Sequence, residues 1–100
     1  MARFQWDPEK AESNFRKHGI RFKVASKVFD DPLVLYRQDR IVEGELRWQA
    51  IGLVESTAIL LVAHSYSVEG TEEVIRIISA RKADRTERKV YEQNPIHQSG

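Results

Sequence analysis

Apolar positions change their period along the chain, and the changes mark out seven elements. After Asp7-Pro8, the residues Ala11, Phe15 and His18 recur at i, i+4 and i+7, which is the stripe of a helix that buries one side. Asp7 can cap this helix and Pro8 suits its first position. Trp6 and Ala11 have staple spacing, and Gly19 supplies a left-handed stop. Phe22, Ala25, Val28 and Phe29 predict a second short helix, ended at Asp30-Asp31-Pro32 because proline cannot continue it. From Leu33 the pattern turns β-like. Runs at Leu33–Tyr36, Leu46–Val54, Ala58–Tyr66 and Val74–Ile78 are separated by polar turns at Asp39–Gly44, Glu55–Thr57 and Glu69–Thr71. Connections this short favour an antiparallel meander. Asp84 and Glu87 then have capping-box spacing and open a last helix through about Glu92. The order ααββββα predicts an α+β, two-layer domain, with helices covering one face of a four-stranded, mainly antiparallel sheet.

The chain has 100 residues, enough for one core and not two. Residues 1–93 read as a single domain, and 94–100, which lack periodicity, as a flexible C-terminal tail. With no cysteine, disulfides and thiolate metal sites are excluded. The longest apolar run, Ala58–Ala63, is too short to cross a bilayer, and Met1-Ala2-Arg3-Phe4 has no signal-peptide core. A cytoplasmic location with no membrane partner is the expectation.

A net charge of +1 argues at first against a nucleic-acid partner. The total conceals blocks. Residues 16–27 sum to +5, residues 28–75 to −6 and residues 76–89 to +4. If folding brings the two basic blocks to one side, a polyanion meets a face of about nine charges, whatever the net charge is. Solvated helix faces are the plainer explanation of each block.

No phosphate-binding glycine loop or nucleophile elbow occurs. His18, His64 and His97 are far apart, so neither a metal site nor a cofactor is expected. What remains is a set of cationic, imidazole and aromatic side chains on or beside strands: Arg47-Trp48, His64, Tyr66, Arg76, Arg81-Lys82 and, in the last helix, Tyr91. Strict alternation puts Val62, His64 and Tyr66 on one face. It puts Arg76, Ile78 and Ala80 on one face of the next strand, with Ser79 and Arg81 on the other. Each candidate also has a structural explanation. His64 and Trp48 could be core residues, Arg76 could pair with Glu43, Glu45 or Glu73, Lys17 could complement a helix dipole, and Tyr91 could dock the last helix.

Taken together, four stretches resemble the BrnT toxin family, the ribonuclease toxins of BrnT/BrnA pairs. The first is Phe4–Pro8 with Asn14-Phe15-Arg16-Lys17-His18-Gly19-Ile20-Arg21-Phe22. Val28-Phe29-Asp30-Asp31-Pro32 follows, then Glu43-Gly44-Glu45-Leu46-Arg47-Trp48 with Ile51-Gly52. The last is Ile75-Arg76-Ile77-Ile78-Ser79-Ala80-Arg81-Lys82-Ala83 with Glu87-Arg88 and Tyr91-Glu92. The resemblance implies a RelE-like fold and an endoribonuclease that inhibits translation. It also implies a BrnA-like ribbon-helix-helix antitoxin, with operator DNA bound only through the complex, which would repress its own operon. Asp84 and Thr86 depart from the pattern, standing where a threonine and a basic residue are usual.

This activity and the residue chemistry together predict metal-independent RNA cleavage, in which the 2′-hydroxyl attacks the adjacent phosphorus. His64 is the expected acid/base, since imidazole titrates near neutrality. Arg76 and Arg81 are the expected phosphate stabilisers, and Tyr91 a further group for proton transfer or positioning. Lys17, Arg47, Trp48 and Lys82 are expected to hold RNA. The alternative is a non-catalytic RNA- or protein-binding module of the same kind of operon.

Overall fold

A computed structural model describes residues 2–93; the tail expected at 94–100 lies outside the described residues. The elements are β1 (Ala2–Gln5), α1 (Pro8–His18), α2 (Phe22–Ala25), a 3-10 helix (Ser26–Asp30), β2 (Leu35–Val42), β3 (Glu45–Val54), β4 (Ala58–Glu69), β5 (Glu72–Lys82) and α3 (Arg85–Glu92). The sheet has five strands in the order β1-β5-β4-β3-β2. The meander β2–β5 is antiparallel, as expected, but β1 adds a fifth strand parallel to β5 and makes the sheet mixed. Four residues alternating Ala, Arg, Phe, Gln are too few to announce a strand. Their partner also lies some 70 residues away.

The local signals at the helix ends operate as read. Asp7 accepts from the Glu9 amide at 2.9 Å, and Gly19 adopts φ 72° while its N–H reaches the Phe15 carbonyl. The buried stripe of α1 differs from the expected one. Phe15 and His18 face solvent, with the Arg21 guanidinium 4.0 Å over the Phe15 ring. Asn14 is buried instead. Its amide accepts from the Ala80 N–H at 3.0 Å and donates to the Ala80 carbonyl at 2.9 Å and the Ile20 carbonyl at 3.1 Å. β1 pairs with β5 only as far as Arg76. Asn14 therefore occupies the place of a missing strand neighbour and satisfies edge backbone groups that α1 would otherwise bury unpaired.

The α1–α2 layer covers half of one sheet face, where Phe22, Ala25 and Val28 pack on Ala50, Val54, Leu60, Val62, Ile77 and Ala80. Gly52 permits the close approach, since a Cβ there would lie 2.9 Å from Val28 Cγ1 and 3.2 Å from the Val28 carbonyl oxygen. Asp31 fastens the end of the 3-10 helix to β3, accepting from the Leu33 amide at 2.9 Å and the Leu53 amide at 2.8 Å.

The expectation that helices cover one face only is corrected by α3. Tyr91 packs on Ile51 and Leu61, neighbours of Ala50 and Val62 that point to the opposite side. A capping box starts α3, with Asp84 and Glu87 each bonding the other's amide at 2.8–2.9 Å.

A bulge in β5 sets the geometry of everything that follows. Ala63 pairs with Ser79, yet the next residue, His64, pairs with Ile77, so Ile78 is an extra residue. Alternation reverses there. Ile77 and Ala80 both enter the helix-side core, while Arg76, Ser79 and Arg81 share the other face with their partners Ser65, Ala63 and Leu61. This corrects the face assignment made by strict alternation.

Candidate functional site

The face shared by Arg76 and Arg81 is lined with arginine. Successive rows run Arg37–Gln49–Ala63–Ser79 and Leu35–Ile51–Leu61–Arg81 across β2 to β5. One step the other way, Arg76 stands opposite Ser65, with Arg47 two residues before Gln49 on the same side of β3. Rows two residues apart are separated by roughly 6.6 Å. Ala63, Ser65 and Ser79 thus form a low floor, with guanidinium groups standing around it.

Two glutamates organise these arginines. Glu45 lies 3.1 Å from Arg47 Nε and 3.6 Å from Arg76 Nη2. Glu87 receives a forked pair from Arg81, Nη1 at 2.7 Å and Nη2 at 2.9 Å, and has Arg37 at 3.6 Å. Arg37 Nε also donates to Gln49 at 2.6 Å. The Arg81 hydrogen bonds hold the Glu87 carboxyl below its ordinary range despite its burial, and the same contact raises the Arg81 guanidinium. Four permanent cations against two carboxylates leave this face positive. Arg37, Arg76 and Arg81 are each about two-fifths exposed, open to a further anion.

His64 and Trp48 do not belong to this face. They are cross-strand partners on the helix side, so the expected acid/base, His64, does not share a face with the expected phosphate stabilisers Arg76 and Arg81. Adjacent strand residues point to opposite faces, and Arg76 stands opposite Ser65. His64 is buried against the Phe29 ring at 4.9 Å and the Tyr36 ring at 6.1 Å, with Nδ1 3.2 Å from the Val62 carbonyl. Burial pushes its pKa below the usual imidazole value, which leaves it neutral at pH 7.

The remaining expected site residues are dispersed. Tyr91 is buried and donates to Asp31 Oδ2 at 2.5 Å; burial and this bond raise its hydroxyl above the ordinary phenol range. A group so placed docks a helix better than it moves a proton. Lys17 is exposed on α1 beside Ser79, along the outer edge of β5, and Lys82 is exposed where β5 ends near Arg88. The two basic blocks also part company. Residues 16–27 lie in the helix layer and 76–89 in β5 and α3, so the single face of about nine charges is not formed. Sequence reasoning missed Arg37, Glu45, Gln49 and Glu87. Two of the clustered arginines, Arg37 and Arg47, come from the acidic middle of the chain, and only the strand register reveals their company.

The chain is similar to known proteins in fold and in family. The fold matches a 1.1 Å crystal structure of the Brucella abortus ribonuclease toxin BrnT with a TM-score of 0.60 and 24% identity, covering 85% of this chain and 100% of that one. A comparison with curated proteins finds no match. The model of one family, described as the ribonuclease toxin BrnT of type II toxin–antitoxin systems, matches residues 6–87, a span that takes in all four clustered arginines and both glutamates. The chain therefore belongs to the BrnT family of ribonuclease toxins.

Proposed function

We propose that the arginine face binds RNA and cleaves it without a metal ion, and that Glu45, not His64, takes the proton. The observation that carries this reading is that Arg47 and Arg76 meet on one carboxylate, Glu45, beside a floor of small side chains, with Arg81 farther along the same face. In the proposed step the RNA 2′-oxygen attacks the adjacent phosphorus and loses its proton to Glu45. The 5′-oxygen leaves and takes a proton from water, giving a 2′,3′-cyclic phosphate and a 5′-hydroxyl end. Charge developing on the phosphorane is met by Arg76 and Arg47, whose forked donors suit phosphate oxygens. Glu87 orients Arg81, which spends three of its five N–H donors on Glu87 and the Lys82 carbonyl and keeps the others for a phosphate. Tyr91 positions α3, Lys82 extends the positive track at the end of β5, and Lys17 extends it along the outer edge of that strand beside Ser79. Cleaved message would arrest translation in the cytoplasm. A BrnA-like ribbon-helix-helix antitoxin would neutralise the toxin and carry the complex to operator DNA, repressing the operon.

The test is cleavage of a defined RNA by purified protein in EDTA, beside the same RNA with 2′-deoxy sugars. Cleavage that persists in EDTA, yields cyclic phosphate ends and stops on 2′-deoxy substitution is expected. Loss on chelation contradicts the metal-free step. Salt-sensitive binding without any product identifies a non-catalytic module instead.

A further inference from the structure

The helix layer leaves half of its sheet face uncovered. Beyond the 3-10 helix this half displays Tyr36, Leu46, Tyr66 and Val68, all more than a third exposed. The register places them on the helix side, since Tyr36 pairs with Ala50, Tyr66 with Ile75 and Val68 with Glu73, and Leu46 lies two residues before Trp48. Phe29 walls this half-face into a cleft of about 620 Å³, with neutral His64 at its base. An exposed apolar concavity of this kind on a small domain marks a binding site.

The charges at the cleft select its occupant. Asp30 and Glu73 line it, Tyr66 donates to Glu73 at 2.8 Å, and among the described residues no Lys or Arg lines it. A polyanion would bring phosphates against carboxylates and the electron-rich faces of Tyr36, Trp48 and Tyr66, with no cation to receive them. A guanidinium or ammonium group gains from both the rings and the carboxylates. We infer that this cleft seats a cationic, amphipathic segment of the antitoxin, on the sheet face opposite the RNA site. The inference rests on reading the protein as one half of a toxin–antitoxin pair. A partner that binds operator DNA must carry basic segments, which the arginine face repels and this cleft attracts.

The test uses the whole toxin, two synthetic peptides of alternating leucine with arginine or with glutamate, and a 2′-deoxy oligonucleotide. The reporter is the NMR signal of the Trp48 indole. The arginine peptide is expected to move Trp48, the glutamate peptide and the oligonucleotide to leave it unmoved. Glu73→Lys should weaken the arginine peptide by about tenfold or more, because it sets like charges opposite each other. Both Glu73→Lys and Tyr36→Ser change exposed side chains outside the proposed RNA site, so RNA cleavage should continue at the wild-type rate. In cells these variants should stay toxic while escaping the antitoxin. Movement of Trp48 by the oligonucleotide, peptide binding indifferent to both substitutions, or full neutralisation of both variants overturns the proposal. If wild-type protein cleaves no RNA, the ribonuclease reading fails, and the peptide result still decides the cleft.

Discussion

Replacing Arg76 with alanine is expected to lower RNA cleavage by roughly 10²–10³-fold, the loss seen when one preorganised donor to a developing oxyanion is removed. The fold should not notice. The Arg76 side chain is 41% exposed, and its partner Glu45 stands 3.6 Å away and equally open to solvent, a pair contributing at most about 1 kcal/mol. Cleavage should therefore collapse while the melting temperature falls by no more than roughly 4–8 °C, the most that 1 kcal/mol gives in a domain of this size. Arg76→Lys should recover only part of the rate, because an ammonium cannot present a fork to two phosphate oxygens. Arg81 is a poorer probe, since its removal also strips buried Glu87 of its forked partner and adds a stability cost. Single-turnover cleavage and a thermal melt of Arg76→Ala decide the matter together. Wild-type cleavage by a folded variant contradicts the role.

The second large effect is on stability. Asn14→Leu keeps the branched outline of the side chain but removes the amide that bonds both backbone groups of Ala80 and the Ile20 carbonyl. The two buried Ala80 groups, left without partners, cost about 1–3 kcal/mol each, so a loss of roughly 2–6 kcal/mol is expected. Against the roughly 5–15 kcal/mol that holds a typical domain together, that is a large share. Urea unfolding should show a much lower midpoint with little change in slope. An unchanged midpoint would mean that α1 does not depend on this clamp to seal the edge of β5.

The same residue shows where sequence reasoning stops. Capping chemistry is local, so Asp7, Gly19 and the Asp84–Glu87 box announced their helix ends correctly. The order of the hairpins was legible, but the run Asp39–Gly44 read as a turn is mostly strand, since β2 continues to Val42 and β3 resumes at Glu45. Asn14 carries no such mark. Its partner is the backbone of Ala80, 66 residues away, and its neighbour Phe15 fits a buried stripe better on hydrophobicity alone. The bulge at Ile78 was hidden for a related reason. Strict alternation sends Arg76 and Arg81 to opposite faces, since they are five positions apart, and one extra residue in β5 puts them on the same face. Arg37 and Arg47 lay within a segment of net −6, and strand pairing moved them beside Arg76 and Arg81. The choice of His64 beside those arginines rested on chemical suitability and family analogy, neither of which specifies a face, and the pleat set them apart. Charge blocks along the chain were thus a guide to a nucleic-acid partner and a poor guide to the face it would use.

The central claim is that RNA lies on the arginine face, and an NMR titration with an uncleavable 2′-deoxy-substituted oligoribonucleotide tests it most directly. The Nε–H signals of Arg37, Arg47, Arg76 and Arg81 and the amides of Ser65 and Ser79 should move together, with the His64 ring and Trp48 indole unmoved. Shifts concentrated on His64 and Trp48, with the four arginines silent, would contradict the account.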